Sequence, residues 1–237
     1  MLRAARGRFA RADLGEEMSM RRVILGMCLV AMVASTAAAQ EGKRVALGVG
    51  ITEHSYSDGA FSQKNPGISF IYRLRLHATT KDGWSWEPTA GLGWFTADTQ
   101  MPIGSLSTHL GRVRSRPYMG GVARAYRQGP LAISFSVLVG PSFNHFSPDN
   151  AAVQAAYIAQ PVLGTLTSYS VKTSTSFALK PEAGLFYDLG KRFALKGSLS
   201  YMYNKPTAHT TVNGTVTSTK WNTSHTNVQI GLVVGIF

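Results

Sequence analysis

The chain has 237 residues, enough for one sizeable domain or two small ones. Charged residues make up only 15% of it, well under the roughly one quarter usual for soluble domains, which argues against an ordinary globule with a charged surface. The formal net charge is +12, but six of the 24 basic and three of the 12 acidic residues fall within residues 1–39, so the remainder carries +9: a balance suited to anionic lipid or lipopolysaccharide, with no nucleic-acid motif to point to nucleic acid.

The first recognisable element is an export signal. Arg21 and Arg22 form a basic start, Val23 to Val33 an apolar stretch, and Ala37-Ala38-Ala39 a small-residue cleavage site, so cleavage is expected between Ala39 and Gln40. The apolar run is too short to span a bilayer, which takes about 20 residues. Residues 1–17 fit an upstream start, with Met18 or Met20 as the initiator. The single cysteine, Cys28, lies within the apolar run, so residues 40–237 contain no disulfide and no thiol chemistry.

From residue 45 onward the pattern has period two, as in half-buried β-strands. Val45, Leu47, Val49 and Ile51 alternate with Ala46, Gly48 and Gly50. Ile68, Phe70, Tyr72, Leu74 and Leu76 alternate with Ser69, Arg73, Arg75 and His77. Trp84, Trp86, Ala90, Leu92 and Trp94 oppose Ser85, Glu87, Thr89, Gly91 and Gly93. In 112–126 the pattern is weaker: Met119, Ala123 and Ala125 read as one face, and Arg112, Arg114, Arg116 and Arg124 as the other. Strands follow at Leu131–Gly140, Ser176–Tyr187, Phe193–Tyr201 and Asn227–Ile236, each apolar on one face and Gly, Ala, Ser or isolated charge on the other. Small residues with sparse charge suit the narrow lumen of a small barrel, and aromatics at strand ends suit membrane-interface girdles.

Connections alternate strictly in length. Short turns are read at Thr80–Gly83, Arg127–Pro130 and Asp188–Arg192, and long connections at 55–66, 96–110, 145–173 and 204–224. Short periplasmic turns and long external loops produce this alternation. Asn213-Gly214 is a type I′ turn signal, which pairs Val212 with Thr215, Tyr201 with Thr226, Leu199 with Val228 and Leu195 with Leu232. Ala151 to Pro161 is a mildly apolar run expected to form a short helix or lid. Pro88, Pro117, Pro141 and Pro181 fall inside strands, where proline belongs at bulges or membrane edges.

On these features residues 43–237 resemble the OmpA/OmpX-like outer-membrane β-barrel domain family. The carriers are the strand count, the alternating loops, the terminal Phe237 and a repeated charge-Pro-x-x-Gly pattern. That pattern occurs at Glu87-Pro88-Thr89-Ala90-Gly91, Arg116-Pro117-Tyr118-Met119-Gly120 and Lys180-Pro181-Glu182-Ala183-Gly184. The resemblance implies an all-β, transmembrane antiparallel up-and-down β-barrel of about eight strands in the outer membrane of a Gram-negative cell. No peptidoglycan-binding domain, as in longer members, is expected. The resemblance also implies a non-enzymatic, cofactor-free monomer, structural or interactive through its external loops, assembled by the barrel-assembly machinery through Phe237. One departure stands out: the apolar phase of the last strand runs through Ile236, not through Phe237.

Candidate chemistry follows from phase. Arg73, Arg75, Glu87, Arg124, Lys180, Glu182 and Lys196 share the inward phase and should pair, because unpaired charge in a low-dielectric interior is costly. The network reads as a plug, with a narrow path for ions or small apolar solutes as the alternative. Arg112, Arg114 and Arg116 lie near the external end of their strand. Facing outward, they would meet lipopolysaccharide phosphates, whose geometry the guanidinium fork matches, but their phase with Arg124 places them inward. His145-Phe146-Ser147 resembles the His-x-Ser pair of the PagL lipid A deacylase barrels, which makes His145 and Ser147 candidate catalytic residues of a lipid A-modifying hydrolase. The carboxylate such a pair needs is missing nearby, since no Glu lies between Glu87 and Glu182. The remaining histidines show no metal-ligand spacing, and no metal site is expected.

Overall fold

A computed structural model of the chain describes residues 45–63, 65–74, 83–160, 162, 164–190 and 192–236. The export signal and its cleavage position, Arg75, residues 80–82 of the turn read at Thr80–Gly83 and the terminal Phe237 lie outside the described residues. Alternating apolar and small or polar residues build long strands: β1 (Val45–Tyr56), β2 (Phe61–Gln63), β3 (Gly67–Leu74), β4 (Gly83–Ile103), β5 (Leu106–Gln128) and β6 (Leu131–Pro148). A helix α1 (Asn150–Ala159) follows, then β7 (Tyr169–Thr173), β8 (Ser176–Asp188), β9 (Phe193–Asn204), β10 (Thr207–Val212), β11 (Thr215–Lys220) and β12 (His225–Gly235).

Eight of these strands close an antiparallel ring in the order β1-β3-β4-β5-β6-β8-β9-β12, with β1 pairing back onto β12. The faces are inverted relative to a soluble sandwich. Large apolar side chains stand on the outside: Ile51 is 63% exposed, Phe135 56% and Ile230 71%. Arg73, Glu87, Lys180 and Lys196 are buried inside. A monomeric soluble protein does not leave so wide an apolar surface in water, whereas a hydrocarbon surround requires it. Ten residues separate Trp84 from Trp94 on the outer face of β4. At about 3.3 Å per residue and a tilt near 40°, they bracket a band of about 25 Å, the height of a barrel's apolar belt. No helix among the described residues is long and apolar enough to cross a membrane.

The register set by the last turn is continuous. Asn213 and Gly214 have positive φ (49° and 82°), as a type I′ turn demands, and Val212 pairs with Thr215. Below the hairpin, Tyr201 pairs with Thr226, Leu199 with Val228 and Leu195 with Leu232. The apolar run after Asp149 does form helix α1, whose first turn is capped by Asp149 accepting from the Ala152 N–H at 3.1 Å.

Two readings of the strands change. The segment 96–110 is not an open loop. β4 and β5 continue beyond the membrane band as a hairpin closed at Gly104-Ser105, with a register shift between Thr99 and Gln100. Pro117, Pro141 and Pro181 sit at no bulge, since the register is unbroken around them. Pro117 pairs with Ser142 on β6, but the ladder to β4 omits Gly93 and Trp94. Pro141 pairs with Phe177 on β8 and leaves Tyr118 and Met119 of β5 unpaired on its other side. Pro181 pairs with Val137 on β6, while Tyr201 and Met202 drop out of the β8–β9 ladder. Register is the same on both sides of each gap, so each missing N–H removes rungs from the ladder without shifting the strands.

Candidate functional site

The lumen is filled in layers. At the end of the short turns, Ala46, Ala132, Phe186, Ala194 and Val233 form an apolar floor. Above it, Arg73 pairs with Glu87 at 2.9 Å, and Glu182 accepts from Lys180 at 2.8 Å and also from Lys196. The Arg73 guanidinium lies 4.4 Å from the Phe186 ring centroid. Lys196 also donates to Gln229 Oε1 at 3.2 Å, and Gln229 Nε2 donates to Ser69, which sits 3.3 Å from Thr52. The charges read as inward on β3, β4, β8 and β9 are therefore brought together, and uncharged Gln229 and Ser69 carry the network around the ring. Among the residues lining this layer the open space is about 20 Å³, room for roughly one water.

Higher up, Phe95, Met119, Leu138, Ala178 and Met202 close an apolar constriction. Two histidines flank it, and spacing along the chain gives no hint that they meet. The β1–β12 register sets Tyr56 opposite His225 and His54 opposite Asn227, which places the His54 and His225 rings 5.1 Å apart. His225 Nδ1 lies 2.8 Å from the Thr223 carbonyl oxygen. His225 Nε2 and Asn227 Oδ1 are buried there without a protein hydrogen-bond partner. Above it, Asn144 donates to Ser176 Oγ at 2.8 Å and to the Ser174 carbonyl at 3.1 Å, and accepts from Ser115 at 2.8 Å and Asn204 at 3.2 Å.

A second core closes the external end. Phe61, Ala97, Leu110, Val113, Phe146, Val153, Val171, Ala208 and Trp221 are buried together, with contributions from all four external connections. Trp221 is the centre, with ring centroids 5.8 Å from Phe61 and 5.2 Å from Phe146. The tips are tied down as well. Gln160 donates to the Ile103 carbonyl at 2.7 Å and accepts from the Ser105 N–H at 3.0 Å. Asn213 accepts from the Thr167 N–H at 2.7 Å and donates to the Thr165 carbonyl at 2.8 Å.

The β5 arginines are not where the sequence phase put them. Met119, Ala123 and Ala125 are buried in the lumen, so Arg112, Arg114, Arg116 and Arg124 point outward. Arg124 thus leaves the lumen network. It lies on the outer wall near the short-turn end, over Trp86 (4.9 Å) and Trp84 (5.4 Å). The reason is size: lumen positions of β5 take small or flexible apolar residues, which resemble a lipid face. Tyr118, Val122 and Tyr126, in the other phase, are the outward signal.

His145 and Ser147 lie on the outer side of β6, opposite Arg114 and Arg112. Neither side chain has a hydrogen-bond partner among the described residues. Glu182 pairs with Ser136, nine residues below His145 on the same strand, which is roughly 30 Å at about 3.3 Å per residue. Glu182 therefore cannot orient His145. Among the described residues, no group of three or more His, Cys, Asp or Glu side chains is placed to hold a metal ion.

No family profile matches the chain, and no curated protein matches it by sequence. Its fold does match solved structures. The outer membrane protein OprG from Pseudomonas aeruginosa is 13% identical, with 83% of this chain and 97% of that one covered and a TM-score of 0.57. The outer membrane protein AlkL, solved in lipid bilayers, is 16% identical, with 84% and 92% covered and a TM-score of 0.53. The inverted faces, the closed eight-strand ring and these matches agree: the chain has the fold of the small eight-stranded outer-membrane β-barrels.

Proposed function

We propose that this barrel acts at the cell surface, in an interaction carried by its external cap and without catalysis of its own. The observation that carries this reading is the cap itself. Four connections that need only join strands instead share a buried aromatic core, and they hold large apolar residues outward at the tips. Ile158 is 73% exposed and Val162 92%, on either side of the Gln160 clasp to the β4–β5 tip. These residues lie beyond the membrane band and have no lipid to cover them, and rigidly presented apolar side chains are what partner surfaces use. The test is photo-crosslinking on live cells from p-benzoylphenylalanine placed at Val162. A covalent adduct to a second macromolecule is expected. A displayed, folded protein that yields no adduct from this position counts against the cap as an interaction surface.

A second reading, a route for small apolar solutes, draws on the rungs missing beside Pro181. Outward-facing Val137, Pro181 and Leu199 and lumen-facing Ser136, Glu182 and Ser200 line one groove across the missing rungs. With the lumen filled from floor to cap, a solute route would pass sideways between lumen and membrane there.

A further inference from the structure

We propose that the outer wall near the short-turn end seats a glycerophospholipid of the periplasmic leaflet, its phosphate on Arg124 and one acyl chain in the groove over Pro181 and Ala183. The proposal is independent of the external cap and needs only the membrane placement of the fold. Arg124 stands on the lipid-facing side of β5, between exposed Val122 and Tyr126. Its cross-strand neighbours are Trp86 on β4 and Phe135 on β6, so both flanking positions are aromatic.

Depth makes this charge unusual. One outward step lower, Trp84 pairs with Tyr126, their rings 5.2 Å apart, and Tyr187 stands exposed on β8. Amphipathic aromatics of this kind mark the boundary between hydrocarbon and headgroups. Arg124 therefore leaves the wall about 7 Å along its strand inside that boundary. A cation rooted in the apolar belt must reach a phosphate or take a counter-charge from the protein. Among the described residues no carboxylate pairs with Arg124: Asp188, at the short-turn end, is held by Arg127, and Glu182 faces inward to Lys180 and Lys196. The Arg124 guanidinium lies 4.9 Å from the Trp86 ring on its own rung and 5.4 Å from the Trp84 ring on the rung below, so the side chain descends toward the headgroups. Those rings carry no net charge. They steady the guanidinium and leave its charge, and the N–H fork at its edge, to an anion.

The neighbouring wall supplies the other half of the site. Register sets Phe135, Ala183 and Leu199 side by side on β6, β8 and β9, and Val137 beside Pro181. Phe135 and Leu199 are bulky and exposed, whereas β8 turns only Ala183 and Pro181 outward between them. The result is an open groove of about 710 Å³, which runs from Trp86 and Arg124 on β4 and β5 across to Leu199 and Tyr201 on β9. A soluble anion matches only one part of this site. Arg124 is reached through the apolar belt, so its occupant brings an apolar tail, and a glycerophospholipid carries a phosphodiester and acyl chains in one molecule.

The test uses protein purified from membranes of an expressing strain, stripped of lipid in detergent and titrated with palmitoyl-oleoyl phosphatidylglycerol or with the diacylglycerol of the same chains. Retention is read by native mass spectrometry. Wild type is expected to hold phosphatidylglycerol at least about tenfold more tightly than the diacylglycerol, and Arg124→Gln to lose that preference. Arg116→Gln, an exposed change at the opposite interface, should behave as wild type. Ala183→Phe, which fills the groove from a lipid-facing position, should weaken retention of both lipids. Heat-modifiable gel migration reports that each variant is folded; if Arg124→Gln misfolds, Ala183→Phe and the wild-type comparison of the two lipids still decide. Equal retention of the two lipids by wild type overturns the proposal. So does phosphatidylglycerol retention unchanged by Arg124→Gln or by Ala183→Phe, a loss in Arg116→Gln as large as in Arg124→Gln, or displacement of the lipid by glycerol phosphate at equal concentration.

Discussion

Glu182 holds two buried ammonium groups, Lys180 and Lys196, from a single carboxylate. Removing its charge leaves two cations facing each other in a low-dielectric lumen, which is worse than removing the whole triad. Glu182→Gln should therefore destabilise the barrel by about 3–5 kcal/mol, the cost of breaking a buried ion pair on one side. Urea unfolding of refolded protein, followed by tryptophan fluorescence, would show this as a lower midpoint; an unchanged midpoint would mean that the lumen is wet enough to screen the lysines. The members of this network on β3, β4, β8 and β9 were legible from phase alone, because Arg73, Glu87, Lys180, Glu182 and Lys196 each interrupt an otherwise small-residue face. Arg124 was not. Its strand alternates Ala and Met with Arg, Val and Tyr, and either face passes as apolar until the two tryptophans that cradle Arg124 are seen across the β4–β5 ladder. Gln229 and the His54–His225 pair escaped for another reason. They act through partners on other strands, and residue type alone carries no record of that.

At the scale of elements, the last hairpin shows what a turn can determine. The φ values of Asn213 and Gly214 fix the β10–β11 register, and the same register runs on through β9 and β12 to the floor of the lumen. The clasp that Asn213 makes to residues 165–168 could not be read, since its partners lie more than 40 residues away. Proline needs no bulge here. A barrel strand has two neighbours, and Pro117, Pro141 and Pro181 each keep the ladder on one side and surrender it on the other. Replacing Pro181 by Ala returns an N–H to the β9 side and should restore the missing rung, adding about 1 kcal/mol of stability for the regained bond. If apolar solutes pass at these missing rungs, cells carrying Pro181→Ala should take up N-phenylnaphthylamine more slowly than cells carrying wild type at equal surface levels. Equal uptake together with raised stability would show that the rung returns and that nothing passes there.

For the whole molecule, the main result is a chain with two kinds of interior. The barrel presents apolar side chains to lipid and keeps charge inside, while the cap follows the rule of soluble proteins and buries Phe61, Phe146, Val153 and Trp221 against one another. The two obey different solvents, so they should fail separately. Trp221 makes the most telling substitution. It follows β11, outside the ring, and its indole packs between Phe61 before β3 and Phe146 at the end of β6. Trp221→Ala removes a buried aromatic from a small core and should cost about 3–5 kcal/mol there. A cap of this size has little stability to spare, so it should open while the ring, held by hydrogen bonds on both sides of every strand, remains closed. Limited trypsin digestion of refolded Trp221→Ala should then cut at Lys172, Lys205 and Lys220 far faster than in wild type, and the surviving fragments should still migrate as a heat-modifiable barrel. Loss of the heat-modifiable form together with the cap would show instead that the external core and the barrel fold as one cooperative unit, and that the cap is part of what holds the ring shut.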